Sequence, residues 1–368
     1  MEKYQIPDKM KAMVLTAPGQ WEIQEVKVPV PGPEEVLCKI GGVAICGSDP
    51  EIISGGLAGT WPPYYPFIAG HEWSGRVVAV GPEVTKFKAG DRVAGEAHKG
   101  CGHCRNCLEG RYTICLNYGK PETGHRHYGF TNYGAYAQYC TYHIKSVTPM
   151  PDNITYNEAA MCDTAGVALH GLELTGVTAG STVAVIGPGP IGIMTMKLAK
   201  ALGASKVIVI GRSPRLEAAV KMGCDYAVDF TKEDPVEKVR EITGGLGADV
   251  VAECSGAPGT IKQSIYMSRK GGKIVMLGVA KDGVTEDIPL KYVTHNELSI
   301  LGSRANPNDG WKIMNLISGG NLYVKDMVTH TFDLDHAGDA FHTFINRIDG
   351  AMKVVINPNG ERMTDGKG

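Results

Sequence analysis

Residues 182–202 read TVAVIGPGPIGIMTMKLAKAL: a short apolar run, glycines at Gly187, Gly189 and Gly192, then a stretch of helical periodicity. This is the most constraining feature of the chain. A continuous β-branched run reads as a strand buried on both faces, and the glycine turn feeds it straight into a helix. Three glycines at this spacing permit a tight turn, close approach of backbone to a pyrophosphate, and close helix–strand packing. The helix N-terminus adds free N–H groups and a positive dipole end. Alone the motif is weak. Here it opens a series in which strands at 206–210, 226–229, 248–253 and 272–278 follow one another, with helices up to 202 and at 215–222. That alternation implies an α/β unit with a doubly wound parallel sheet, and makes Gly187, Gly189, Pro190, Ile191 and Gly192 the cofactor-binding turn.

Cofactor choice belongs at the end of the next strand, about twenty residues on. The sequence there is VIVIGRSPRLEAA, with Gly211 where an NAD site normally has a carboxylate, followed by Arg212, Ser213 and Arg215. A missing carboxylate beside guanidinium groups suits a 2′-phosphate, which favours NADP over NAD. The competing reading makes both arginines ordinary surface charges at a helix start.

The first 160 residues follow another rhythm, with short strands at 12–15, 22–28, 35–40 and 73–80 broken by Gly and Pro. After residue 302 the pattern loosens, with a helix expected at 311–318, a strand at 351–356 and a polar, frayed tail over 357–368. A length of 368 residues suggests two domains. The net charge of -2 gives no pull towards nucleic acid or anionic membrane. No apolar run of about 18 residues occurs and the N-terminus lacks a secretory core, so a soluble, cytoplasmic protein is expected.

Of 10 cysteines, Cys101, Cys104, Cys107 and Cys115 form C-x2-C-x2-C-x7-C within one short stretch. Four thiolates close a tetrahedral shell with no open position, the mark of a structural zinc, and Lys99, Arg105 and Arg111 favour ionised thiols. His103 reads as exposed. A second set is dispersed: Cys46 in AICGSD, His71 and Glu72 in AGHEWSG, and Asp163 in AAMCDTAG. Each alone is weak, but together they offer a thiolate, an imidazole and a carboxylate, a shell that leaves a fourth position for water or a substrate oxygen.

With CGSD, GHE, the four-cysteine stretch and the glycine turn in this order, the chain resembles the zinc-dependent medium-chain dehydrogenases, the alcohol dehydrogenase family, over essentially its whole length. It looks closest to the polyol (sorbitol-type) and threonine dehydrogenase branch. The resemblance implies a GroES-like, β-rich catalytic domain over 1–163 with a structural zinc lobe at about 96–117. A Rossmann domain would span 164–303, the chain would return to the catalytic domain over 304–368, and the active site would lie in the cleft between domains. It further implies a catalytic zinc held by Cys46, His71 and a third residue. Both Cys162 and Asp163 lie near that place, and Asp163, seven positions before His170, is preferred. Glu72 would approach the zinc as an occasional ligand, and Asp49 would support the zinc shell.

Ser48 matches the hydroxyl that relays the substrate proton. Many relatives continue the relay to a histidine shortly after it, where this chain has Pro50 and Glu51, so either Glu51 passes the proton on or water takes it directly. Glu96 and His98 resemble a pair near the substrate in the threonine branch, or are packing residues. His125, Arg126 and His127 read as a solvated loop, or as one that touches substrate, and Arg304 as a residue facing cofactor or substrate, or neither. The implied activity interconverts a secondary alcohol, such as a polyol or sugar, with its ketone by hydride transfer to or from NAD(P). The alternative is an L-threonine or other amino-alcohol dehydrogenase. Zinc-free quinone reductases and non-enzymatic nucleotide binders share the fold but should lack the ligand set. The family usually forms homodimers or homotetramers.

Overall fold

The computed structural model describes residues 4–360 and 363. They divide into two compact units. One holds the described residues up to Asp163, Pro307–Gly320 and the described residues from Val324 on; the other holds Thr164–Asn306 and Asn321–Tyr323.

In the first unit the strand Glu35–Ala44 is the hub, pairing antiparallel with Glu72–Val80, Tyr139–His143 and Lys353–Asn357. The sheet runs on from Glu72–Val80 through Arg92–Gly95 to Val147–Pro149, and from Lys353–Asn357 to Val328–Asp333, seven strands in all. Val36, Ile40, Val43, Trp73, Val77 and Val354 are buried within it. Trp73 stacks on Tyr142 with ring centroids 3.8 Å apart. Each such aliphatic side chain contributes about 1.5–3 kcal/mol by leaving water. The strand Lys353–Asn357 is buried at every position, its lysine included. It brings a residue from the far end of the sequence beside Ile45, whose N–H donates to the Val354 carbonyl at 2.9 Å.

The second unit carries six parallel strands in the order Tyr226–Asp229, Lys206–Gly211, Thr182–Ile186, Ala248–Glu253, Ser268–Met276, Ser299–Gly302. Chain order reverses direction between Thr182–Ile186 and Ala248–Glu253, the switch point at which open α/β sheets bind nucleotides. Val183, Ala184 and Val185 are fully buried, as a strand covered on both faces requires.

Two sequence expectations need correction. The strand expected at 272–278 begins at Ser268, because Ser268 pairs with Ala248 across a register shift and the glycine pair 271–272 lies inside the strand at that irregularity. The tail expected to fray from Asn357 is held at its start. Asn357 Nδ2 donates to the Gly41 carbonyl and Asn157 Oδ1, both at 2.7 Å, and Asn359 Nδ2 to the Ile40 and Gln138 carbonyls. Residues 361, 362 and 364–368 of that tail lie outside the described residues. No helix among the described residues is long and apolar enough to cross a membrane.

Candidate active site and metal centres

The four-cysteine stretch folds around the short helix Arg105–Leu108 and brings all four sulfurs within 4.8 Å of one another. Cys101 Sγ lies 3.9 Å from Cys107 Sγ, and Cys104 Sγ 3.9 Å from Cys115 Sγ. These separations are far beyond a disulfide bond, and sulfurs about 2.3 Å from a tetrahedral zinc sit roughly 3.8 Å apart. Backbone N–H groups of Cys104 and Asn117 donate to Cys101 Sγ and Cys115 Sγ at 3.4 Å, and Asn117 Nδ2 donates to Cys101 Sγ at 3.3 Å. Burial opposes ionisation of Cys101, but its N–H donors bring the thiol down to about 5. Burial pushes Cys107 up to about 12. Four thiolates this close cannot coexist without a cation, so the donor set fits zinc. His103 is exposed, its Nδ1 3.1 Å from the Cys101 carbonyl oxygen.

The second centre is assembled from two elements. Cys46 leads into the helix Asp49–Ser54, while His71 and Glu72 sit at the start of the strand Glu72–Val80. One ligand atom each of Cys46, His71 and Glu72 lies within 4.8 Å of the others. Beneath them Asp49 is fully buried and accepts from the Cys46 N–H at 2.8 Å and the Tyr136 O–H at 2.7 Å. Its Oδ1 faces His71 Nδ1 at 3.5 Å, two buried polar atoms with no other hydrogen-bond partner among the described residues. Burial works against charging His71, yet Asp49 and Cys46 raise it well above its ordinary value. A carboxylate on one imidazole nitrogen orients the other towards a metal. Glu72 is paired with Lys353 Nζ, both side chains being 2% exposed or less. The donors fit a divalent cation: thiolate, imidazole and carboxylate converge, and the buried ammonium offsets part of their charge.

A column of rings leads away from this centre. His71 and Phe130 have centroids 4.5 Å apart, Phe130 and His127 stack at 3.9 Å, and His127 and His98 at 4.0 Å. Trp61 stands edge-on to Phe130 and His127. The Tyr118 hydroxyl lies 2.5 Å from His127 Nδ1.

Matching family models are the alcohol dehydrogenase GroES-like domain over residues 32–152 and the zinc-binding dehydrogenase family over residues 190–318. Sorbitol dehydrogenase of Bacillus subtilis (strain 168) is 34% identical over 360 residues, 96% of this chain and 99% of that one. L-threonine 3-dehydrogenase of Sinorhizobium medicae (strain WSM419) is 36% identical over 353 residues, 95% of this chain and 98% of that one. A zinc-binding dehydrogenase from Sinorhizobium meliloti 1021, solved bound to NADP, superposes with a TM-score of 0.87 at 32% identity, covering 96% of this chain and 100% of that chain. The chain is a zinc-type medium-chain alcohol dehydrogenase.

Within this dehydrogenase the remaining candidates fall as follows. Asp163, expected as the third zinc ligand, is not among the three residues Cys46, His71 and Glu72 whose ligand atoms lie within 4.8 Å of one another. Its Oδ1 accepts from the Ala97 N–H at 3.3 Å. The side chain is short, and it lies in the first turn of the helix Cys162–Thr175. Cys162 Sγ donates weakly to the Gly310 carbonyl at 4.0 Å, and burial beside Glu96 and Asp163 pushes its thiol well up. Glu96 accepts from the Tyr112 O–H at 2.6 Å; burial, with Asp163 and Asp309 close by, pushes its carboxyl well up.

Ser48 is half-buried at the N-cap of Asp49–Ser54 and spends no side-chain bond on capping, whereas Glu51 is exposed. The loop read as solvated is not: His125 and His127 are 1% and 2% exposed, because the rings around Phe130 and Tyr118 enclose them. Arg126 spends Nη1 on the Pro121 and His125 carbonyls, and Arg304 is exposed.

The dehydrogenase's glycine turn takes the expected form. Gly187 has φ 93°, and its N–H donates to the Ile210 carbonyl at 2.9 Å. A Cβ on Gly192 would lie 2.0 Å from the Gly187 carbonyl oxygen, so only glycine fits. Gly189 caps the helix Pro190–Ala201, and Ile191 accepts the Thr195 hydroxyl at 2.8 Å. Ser213 Oγ is engaged with Glu217 at 2.6 Å, while Arg212 is exposed and Arg215 reaches the turn. Sequence reading missed Lys353, Tyr136 and Glu253. The Glu253 carboxylate collects the Ser255 N–H at 2.8 Å and the Gly256 N–H at 3.1 Å at the end of Ala248–Glu253. A lysine inside an apolar strand was a legible signal for the first. Nothing local marks Tyr136.

Proposed function

We propose that this chain oxidises a secondary alcohol of a polyol or sugar, and reduces the matching ketone, with NADP preferred over NAD. The gathering of Cys46, His71 and Glu72 over a buried Asp49 carries the reading, and the sorbitol dehydrogenase relatives give the substrate class. Cys46 Sγ, His71 and a carboxylate, Glu72 or Asp163, would hold the catalytic zinc; Cys101, Cys104, Cys107 and Cys115 the structural one. When bound, the catalytic zinc supplies Lewis acidity that makes a hydroxyl acidic near neutral pH. The dinucleotide supplies the hydride acceptor.

The protein's own part is positional. Asp49 fixes the His71 ring, Tyr136 and the Cys46 N–H fix Asp49, and Lys353 holds Glu72. Ser48 Oγ accepts the alcohol proton and hands it to water or onward to exposed Glu51. Gly187, Gly189, Pro190, Ile191 and Gly192 bind the pyrophosphate against the helix N-terminus, and Arg212, Ser213 and Arg215 flank the adenosine ribose. Ten cysteines, none of them in a disulfide, suit a reducing compartment such as the cytoplasm. The open edge strand Ser299–Gly302 is where we place pairing of chains into a dimer or tetramer.

L-threonine is the second reading, favoured by the 36% identity to L-threonine 3-dehydrogenase and by burial of His98 in the ring column. Initial rates with sorbitol, threitol, 2,3-butanediol and L-threonine, each with NADP and NAD on protein of measured zinc content, separate the two. Cys46→Ser and His71→Ala should lose both catalytic zinc and turnover. Full turnover in metal-free protein would overturn the zinc assignment.

A further inference from the structure

Gly211 ends the strand Lys206–Gly211, where a ribose-binding carboxylate would stand in an NAD site. A Cβ at this position would lie 2.5 Å from both Cγ and Cδ of Pro188, and the next nearest atom, Leu216 Cδ1, stands at 3.7 Å. Pro188 is buried in the glycine turn, and the Gly187 N–H bond to the Ile210 carbonyl at 2.9 Å pins that turn to the strand end. A pyrrolidine ring held this way cannot swing aside as a flexible side chain would. The carboxylates nearby are already engaged. Asp229, the cross-strand partner of Gly211, accepts from the Thr231 N–H and hydroxyl at 3.0 and 2.7 Å and lies 3.3 Å from Lys232, while Glu217 accepts from Ser213. On the other side, Arg215 Nη1 would lie 3.4 Å from a Cβ built on Gly189.

We propose that Pro188 is a specificity-determining residue: its ring keeps position 211 free of any side chain, so selection of a 2′-phosphorylated dinucleotide rests on the Pro188–Gly211 pair and not on the arginines alone. This deepens the NADP reading given above and rests on it. One consequence is that restoring the carboxylate does not by itself convert the site, because Gly211→Asp drives its Cβ into the proline ring.

The test is NADPH and NADH binding by titration calorimetry, without alcohol or ketone, on four proteins: the parent, Pro188→Ala, Gly211→Asp and the double variant. The parent should bind NADPH more tightly. Gly211→Asp should weaken both dinucleotides by about tenfold or more, as overpacking displaces the turn. Pro188→Ala, which lacks both clashing atoms, should keep NADPH the tighter ligand, and the double variant should bind NADH more tightly than NADPH. If Gly211→Asp alone binds NADH as tightly as the double variant does, Pro188 has no selecting role, while the NADP reading stands. A parent that binds NADH at least as tightly removes both. Should Gly211→Asp fail to fold, Gly211→Ala adds only the Cβ. It must weaken both dinucleotides when Pro188 is present and spare them when residue 188 is alanine; equal loss in both backgrounds overturns the proposal.

Discussion

Replacing Lys353 with methionine should destabilise the fold and tighten metal binding at once. Lys353 Nζ contacts Glu72 and, at 3.4 Å, the Ile45 carbonyl, with the lysine and glutamate side chains 2% and 1% exposed. Burial lowers the lysine's tendency to hold its proton, but Glu72, with Cys46 and Asp49, more than restores it, and Lys353 ends above its ordinary value. Methionine keeps the volume and removes the charge, leaving a carboxylate buried without its cation, a loss of roughly 3–5 kcal/mol. The same change deletes a positive charge beside the ligand cluster, so a divalent cation should bind more tightly by about tenfold, on the order of 1.4 kcal/mol, with a much larger gain opposed by solvent and protein relaxation. Denaturant midpoints in chelator and in saturating zinc, with zinc affinity from competition against a chromophoric chelator, read both effects. The loss should be largest in chelator and partly recovered in zinc; Glu72→Gln added to Lys353→Met should recover it without metal. A loss below about 1 kcal/mol in chelator, or weaker zinc binding, would refute the argument that Lys353 serves as the buried counter-charge of this carboxylate.

Three further outcomes are expected. Glu72→Gln and Asp163→Asn, compared by zinc per chain, distinguish the carboxylate that completes the catalytic site: the true ligand's variant should hold one zinc, the other's two. Cys107→Ser should lose the lobe zinc and lower the thermal midpoint, yet leave catalytic zinc detectable, because Cys101 and Cys115 belong to a separate grouping from Cys46 and His71. His125 is held down at about 4 by burial and by Arg126 and Lys99, so it stays neutral when folded but takes a proton when unfolded below its ordinary value near 6.5. Its share of stability is therefore intact above pH 6.5 and lost as pH falls towards 4, by roughly 2–3 kcal/mol, and His125→Gln should flatten the fall in denaturant midpoint over that window.

The sequence made the second unit readable almost strand by strand because central strands of a parallel sheet are buried on both faces and need apolar runs, as 248–253 shows by coinciding with an observed strand; the partly exposed edge strand 226–229 was placed as well. The four-cysteine lobe was equally readable, since its ligands lie close in the chain. What escaped was whatever depends on distant residues meeting. His127 sits in a polar stretch, GHRHYG, yet is buried by stacking on Phe130 and His98. Asp163 and Glu72 are both acidic residues beside plausible metal motifs, and only the fold decides which stands with Cys46. Tyr136 reaches Asp49 across 87 positions, a contact no spacing rule encodes.

The two metal centres solve opposite electrostatic problems. The lobe concentrates four sulfurs with N–H donors aimed at them, so a cation there would be enclosed by thiolates alone, with no position left open. The other centre surrounds a smaller ligand group with buried charges of both signs. With a divalent cation held by a Cys46 thiolate and the His71 imidazole, the negative charges of Cys46, Glu72 and Asp49 would be balanced by that cation and Lys353. Such a site is neutral when loaded, which leaves room for an extra negative charge to be attracted only weakly and released again, as a substrate oxygen that must gain and lose a proton requires. Were Asp163 to join as a further ligand, the loaded site would be anionic and would resist that charge. That charge count makes zinc binding in Asp163→Asn the measurement on which the ligand assignment turns.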